Sequence, residues 1–542
     1  MYSHLSRACA IVILILSLSG VVRSQSEQTV WDPDNGNGTY TNPIIHADYS
    51  DPDVIRVDDD FYLTSSSFNS APGLPILHSK DLVNWKIIAH VFQQQIPGDV
   101  FARPQHGNGV WAPALRYHDG YFFIFYPDPD YGIYMSKARN AAGPWSAPLL
   151  IKSAKGWIDP CPFWDTDGNA YLVHAWANSR SGIKSILTIN KMSADGTKIL
   201  DEGRTVFDGR SNQPTIEGPK LYKRNGYYYI FAPAGGVPTG WQTVLRSRNI
   251  FGPYQARVVM DQGKTQINGP HQGAWVQLKS GESWFIHFQD KGPYGRVVHL
   301  QPIRWRNNWP VIGRDANHDG KGEPVPTYKK PAVAQQDTRQ APQTTDEFDS
   351  PEIGLQWQWQ ANFDDRWWTL NARPGWLRLN AVPLPREAVN LWPVPNLLLQ
   401  KIPAPAFTLT TRIDANSLSI GEEAGLVLMG MDYSYLAVVR NESGFRLEKT
   451  ICKDANSGVE ESEEAGLNIA AGLLHLRMTM TKDGIARFSF SSDGNKFIPI
   501  GEPFKAREGK WIGARVGLFC LAMSEGPQHG YADFDWFRFE RS

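Results

Sequence analysis

From about Thr41 to Ile312, short apolar and aromatic runs alternate with turns rich in Gly, Asn and Asp. No stretch there carries the 3.6-residue period of a long amphipathic helix, so the region is predicted to be strands and turns. One unit recurs. Tyr49-Ser50-Asp51-Pro52-Asp53 leads through a strand to the acidic turn Asp58-Asp59-Asp60 and into a second strand, Phe61-Tyr62-Leu63. The same plan returns at Trp111 with the turn Asp119-Gly120, at Asp159 with Asp167-Gly168, at Glu217 with Asn225-Gly226, and at His271 with Ser280-Gly281. Asp-Gly and Asn-Gly suit hairpins because they tolerate positive φ.

Five copies spaced by roughly fifty residues is the period of propeller blades. The elements Ser79-Lys80-Asp81-Leu82-Val83-Asn84-Trp85, Gly143-Pro144-Trp145 and Gly252-Pro253-Tyr254 read as one outer-strand feature reused. Residues at one register of equivalent blades stand at one height around one axis. Asp51, Trp111, Asp159, Glu217 and His271 are therefore expected to converge on a single pocket.

The chain changes character after Gly313. Residues 313–345, rich in Pro, Gln and Thr, read as a linker. Asp315, Asn317 and Asp319 alternate like part of a calcium loop but lack its closing glutamate. Beyond Asp346, regular short strands such as Phe407-Thr408-Leu409-Thr410 and Ala424-Gly425-Leu426-Val427 predict a β-sandwich. The expected division is 1–24 signal peptide, 25–312 propeller, 313–345 linker and 346–542 sandwich.

Arg7 followed by the apolar run 8–18 resembles a secretory signal, which implies a periplasmic or secreted protein. That run is short for a membrane span. The net charge of −1 offers no electrostatic case for nucleic acid or an anionic membrane. Four cysteines make no disulfide framework, although Cys452 and Cys520 could pair if adjacent. The 20 tryptophans suit both sugar stacking and aromatic cores.

Three carboxylates in register point to glycoside hydrolysis, which needs a proton donor for the leaving oxygen and a second carboxylate for water or the anomeric carbon. Ser50-Asp51-Pro52-Asp53, Trp111-Ala112-Pro113, Ile158-Asp159-Pro160, Ile216-Glu217-Gly218-Pro219 and Gly295-Arg296-Val297-Val298-His299 resemble, in order, the motifs of glycoside hydrolase family 43. That resemblance implies a five-bladed β-propeller followed by a concanavalin-A-like β-sandwich. It implies an inverting glycosidase with Asp51 as general base, Glu217 as general acid and Asp159 tuning Glu217 and holding substrate. It assigns Arg296 to sugar hydroxyls and requires no metal for catalysis. Inversion predicts an acid–base separation of about 6.5–9.5 Å.

Trp111 and His271 are candidate substrate contacts, and Phe68, Trp241 and Trp164 are further candidates that core packing would equally explain. Glu347, Asp349 and Asp533 are candidate ligands of a structural calcium between the first and last strands of the sandwich. The expected substrates are arabinose- or xylose-containing oligosaccharides. Departures around Asp48–Asp53 and in the loop 232–241 favour an exo-α-L-arabinofuranosidase over an exo-β-1,4-xylosidase. A retaining fructosidase expects a cysteine beside the acid, where this chain has Gly218. A non-catalytic sugar-binding propeller expects a missing carboxylate, and all three are present.

Overall fold

The computed structural model describes residues 29–334, 339–523 and 529–542. The expected signal peptide lies outside them. The repeats become five antiparallel four-stranded sheets, each of consecutive strands, spanning 53–92, 114–153, 157–208, 220–260 and 271–312. The second strand of each blade carries the aromatic run seen in the sequence. Phe61, Phe125, Leu172, Phe231 and Phe285 are all essentially inaccessible there. Burial on both faces of these strands supplies the main hydrophobic drive for stacking one blade on the next.

The outer-strand feature also has a shared structural cause. The Trp85 indole N–H donates to the Leu82 carbonyl, Trp145 to Ala141, and the Tyr254 hydroxyl to Ile250. Each aromatic side chain thus pins the turn that precedes it. Asp81 adds side-chain acceptance from the Val83 and Asn84 amides.

No strand is shared between blades one and five. The ring is closed by residues 40–49, which run along blade five. The Asn42 carboxamide brackets the Leu300 backbone, donating to its carbonyl and accepting its N–H, and Ile45 pairs with Val298. Thr39–Thr41 forms a two-stranded ribbon with Thr327–Lys329, inside the segment expected to link the domains. That segment is stitched to the propeller: Lys330 pairs with buried Asp34 and Asp81, and the Gln343 side chain brackets the Ile87 backbone.

The second domain is two packed antiparallel sheets of concanavalin-A type. The final strand, Tyr531–Arg541, sits inside one sheet between Leu377–Asn380 and Phe407–Asp414. Arg515–Ala522 lies inside the other, between Leu398–Lys401 and Glu422–Met429. Alternation along Leu473–Met480 puts Leu474, Leu476, Met478 and Met480 into the shared core. Cys161, Cys452 and Cys520 are buried free thiols. Among the described residues no helix is long and apolar enough to cross a membrane.

The domains are joined by polar bonds as well as packing. Ala71 pairs with Trp359 as a β-bridge, Gln95 and Asn362 exchange hydrogen bonds, and the His106 ring stacks on Trp392 at 3.5 Å. Asp48 accepts the Arg296 amide with one oxygen and the Gly513 amide with the other. One carboxylate thus ties a strand of blade five to a loop of the sandwich.

Candidate active site

The register residues meet at one end of the propeller axis, and the backbone there is unusual in a consistent way. Asp51 and Asp159 both adopt φ 55, in the left-handed region. Asp159 lies in a bulge between Ile158 and Cys161, where pairing with the neighbouring strand slips. Gln272 occupies the matching bulge of blade five, at φ 34. A bulge re-aims a side chain that regular pleating would turn into a sheet face. Strained backbone at such residues persists only where the surroundings hold it.

A pocket of about 140 Å3 is lined by Asp51, Phe68, Trp111, Asp159, Glu217, Gln272, Arg296 and Trp511, among others. Arg296 Nη1 lies 3.1 Å from Asp51 Oδ1, and the hydroxyls of Ser50 and Ser66 donate to Asp51 Oδ2 at 2.7 and 2.6 Å. Arg296 is itself buried, with its guanidinium 4.8 Å above the Phe288 ring. Asp51 is thereby fixed in position as a hydrogen-bond acceptor.

Glu217 has the opposite surroundings. Burial, then the charges of Asp159 and Asp51, push its carboxyl up to about 8, against a smaller opposing pull from Arg296. About a quarter of its side chain remains exposed. Asp159 is raised too, chiefly by burial and secondarily by Asp51, with the Gly218 amide pulling the other way. Its Oδ2 accepts that amide at 2.7 Å. Burial and like charge thus keep Glu217 in its protonated, donating form near neutral pH.

Phe68, Trp111 and Arg296 all reach the pocket wall. His271 lies just behind it, 1 % exposed, with Nε2 3.6 Å from Glu217 Oε1. Burial drives the His271 imidazole down to about 3, so it stands neutral beside the acid. Trp241 is not brought to the pocket. Its indole N–H donates to Gln213 and its ring packs against Gly235. Trp164 belongs to the opposite mouth of the propeller, stacked on His118 at 4.6 Å.

The proposed calcium ligands are not brought together either. Glu347 is paired with Arg538, and Asp533 with Arg378 and Arg373. Arginines neutralise two of the three carboxylates, which removes the charge a cation would need. Among the described residues no group of three or more His, Cys, Asp or Glu is placed to hold a metal.

Among the pocket residues that escaped the sequence reading are Gln272 and Trp511. Gln272 follows the register histidine. Its side chain lies over Gly218, where an added Cβ would come within 2.8 Å of it. Trp511 comes from the sandwich, at φ 66 and half exposed, and packs against Gly107 of blade two's approach loop. The Gly107 carbonyl in turn accepts the Trp111 indole N–H. The wall of the pocket is thus shared by both domains.

Three carboxylates and an arginine gathered in one small pocket fit glycoside hydrolysis, which uses a proton donor and a second carboxylate. The chain belongs to glycosyl hydrolases family 43: the family's profile matches residues 40–310, and that of the beta xylosidase C-terminal concanavalin A-like domain matches 345–540. It is similar to a Xylanibacter ruminicola protein provisionally named a β-xylosidase, 41 % identical across 90 % of this chain and 87 % of that one. It is also similar to a non-reducing end α-L-arabinofuranosidase of Bacteroides ovatus, 29 % identical over 92 % and 94 %. Among solved structures, xylan β-1,4-xylosidase from Bacillus halodurans superposes with a TM-score of 0.81 at 26 % identity, covering 92 % of this chain and 100 % of that one. The protein is a family 43 glycosidase.

Proposed function

We propose that the enzyme is an exo-acting β-xylosidase that releases xylose from the non-reducing ends of xylo-oligosaccharides with inversion. The observation that carries the chemistry is the pairing of Arg296-bound Asp51 with the raised carboxyl of Glu217 in one small pocket. Asp51 takes a proton from water. Glu217, still protonated near neutral pH, gives one to the leaving oxygen. Asp159 holds Glu217's neighbour Gly218 and adds the negative charge that keeps Glu217 protonated. A cavity of about 140 Å3 closed on one side by Trp511 accommodates a terminal sugar and opposes threading of a polymer.

The choice of sugar follows the comparisons and reverses the arabinofuranosidase expectation. The more similar relative, at 41 % identity, carries the xylosidase name, and the arabinofuranosidase stands at 29 %. The local departures around Asp48 that favoured arabinose have a structural role: Asp48 clamps Arg296 to Gly513. Initial rates on nitrophenyl β-D-xylopyranoside and nitrophenyl α-L-arabinofuranoside, side by side, test the reading. Dominant arabinofuranosidase activity would overturn it, and binding without turnover of either would favour a sugar-binding propeller. Residues 1–24 support export of the protein, tested by finding it in the periplasm or medium after expression of the full chain.

A further inference from the structure

The first strand of each blade serves two places. At or just before its start stands a register residue of the catalytic end, and its last residues line a separate cavity of about 420 Å3 at the opposite mouth of the propeller. Each blade contributes to that cavity, through residues 54–56, 116–118, 162–164, 221–223 and 275–277, and none of its lining belongs to the sandwich. The size falls in the range of small-molecule sites, roughly 300–1,000 Å3.

The ionised side chains of this lining are all cationic. They are Arg56, Arg116 and Lys223, with His118 beside them and no Asp or Glu. Two of the cations have carboxylate partners, and both partners lie behind the wall. Arg116 pairs with Asp53 and Lys223 with Asp165, whose side chains are 0 and 1 % exposed, against 13 and 30 % for the two cations. A ligand entering the mouth therefore meets guanidinium and ammonium rather than carboxylate. Arg56 is held differently. Its Nε and Nη1 donate to the carbonyls of Gln277 and Asp58 at 2.7 and 2.6 Å. Those bonds orient the planar fork without neutralising it, and among the described residues none accepts from Nη2.

Tyr117, 45 % exposed, and half-buried Phe163 and Trp164 set aromatic faces beside the cations, with Trp164 stacked on His118. The hairpin turns around the mouth carry exposed Asp58, Asp59, Asp119, Asp167 and Glu282, outside the lining. These turns repel an extended polyanion such as nucleic acid and leave the cationic floor to an isolated acid group. A uronic acid supplies both halves of the fit: one carboxylate for the fork of Arg56, and apolar C–H faces for the aromatic rings.

We propose that the far mouth of the propeller is a non-catalytic site for a short xylo-oligosaccharide bearing one uronic acid. The xylose part of that ligand rests on the proposed xylosidase function, and the acid rests on the cavity alone.

The test is calorimetric binding to full-length Glu217→Gln protein, in which turnover is silenced, with glucuronic acid-substituted xylotriose and plain xylotriose as probes. The acidic probe is expected to bind about tenfold more tightly or better, the scale of one charge-assisted contact. That advantage should vanish in Arg56→Gln and at about 0.5 M salt, where exposed charges are screened. Tyr117→Ala is expected to weaken the acidic probe by about threefold or more. Melting curves establish that the variants fold, and the salt dependence needs no substitution at the mouth. With Glu217 restored, neither substitution should change kcat/KM on nitrophenyl β-D-xylopyranoside. An acidic probe bound no more tightly than xylotriose, or an advantage indifferent to salt or to Arg56→Gln, overturns the proposal. Displacement by equimolar inorganic phosphate, or indifference to Tyr117→Ala, overturns the saccharide assignment. Hydrolysis rates of the unsubstituted enzyme decide the xylosidase reading separately. An active xylosidase without acid-specific binding loses only this site, and acid-specific binding on a protein inactive toward xylosides loses only the function.

Discussion

Oδ2 of Asp159 accepts the backbone N–H of Gly218, the residue immediately after Glu217, at 2.7 Å. The bond holds Asp159 beside the carboxyl proposed above as the proton donor. Asp159→Asn keeps an acceptor in place and removes the charge. Glu217 then ionises at lower pH, because one of the like charges that raised it is gone. Activity that depends on protonated Glu217 falls as pH rises through about 8. The alkaline limb of kcat/KM is therefore expected to move down by about one pH unit in the variant. A pH–rate profile checks this, and an unmoved limb would remove Asp159 from the tuning role.

Replacing Glu217 separates its task from that of Asp51. Glu217→Ala is expected to lower kcat on xylobiose by about 10²–10⁴-fold, the usual contribution of a positioned proton donor. On a dinitrophenyl xyloside, whose leaving group needs little protonation, the loss should be much smaller. Asp51→Ala should abolish turnover of both. Steady-state rates across leaving groups of graded acidity read the difference, and equal losses in Glu217→Ala would contradict its assignment as acid.

Trp511 is half exposed and packs on a glycine, so little of the fold depends on it. Trp511→Ala is expected to leave the melting temperature nearly unchanged. It should lower kcat/KM on xylobiose about tenfold, or roughly 1.4 kcal/mol, in line with loss of one aromatic contact. The effect on nitrophenyl xyloside serves as the comparison.

Glu423 is a carboxyl buried in the sandwich, raised to about 8 by burial first and then by Glu461 and Glu448. Its Oε1 has no partner. Between about pH 4.5 and 8 the unfolded chain has lost this proton and the folded chain keeps it. Folding stability attributable to the group is thus complete at low pH and declines as pH rises, by up to about 1.4 kcal/mol per unit. Glu423→Gln is expected to be stabilised at pH 8 by at least about 1 kcal/mol and to show a flatter dependence. Urea unfolding at pH 5 and pH 8 gives both values, and an unchanged pH slope would contradict it.

The blades were legible in the sequence because their signal is repeated: a hairpin turn and an aromatic strand recur at fixed spacing, and the register follows. Asp51, Asp159 and Glu217 could be found for the same reason. The left-handed backbone of Asp51 and Asp159 could not, since an Asp before Pro carries no mark of positive φ. Trp511 was invisible for a different reason. It reaches the pocket through the docking of two domains, a relationship with no local pattern. The carboxylates near the ends of the sandwich looked available for calcium because Arg378 and Arg538, which claim them, are remote in sequence from Asp533 and Glu347 respectively. Trp241 was a candidate as an aromatic side chain in the loop 232–241, but its indole is bonded to Gln213 and it does not line the sugar pocket.

Synthesis from the N-terminus delivers all five blades, and all three carboxylates with them, well before the sandwich can close. Arg515–Ala522 and Tyr531–Arg541 occupy interior places in their two sheets, so neither sheet is continuous until this last stretch has left the ribosome. Trp511, at the threshold of that stretch, then takes its place on Gly107. The nascent propeller therefore carries its charges in an unfinished pocket, and a ribosome-bound chain stalled before residue 511 should hold the acid and the base without the wall that turns them toward the end of a sugar chain.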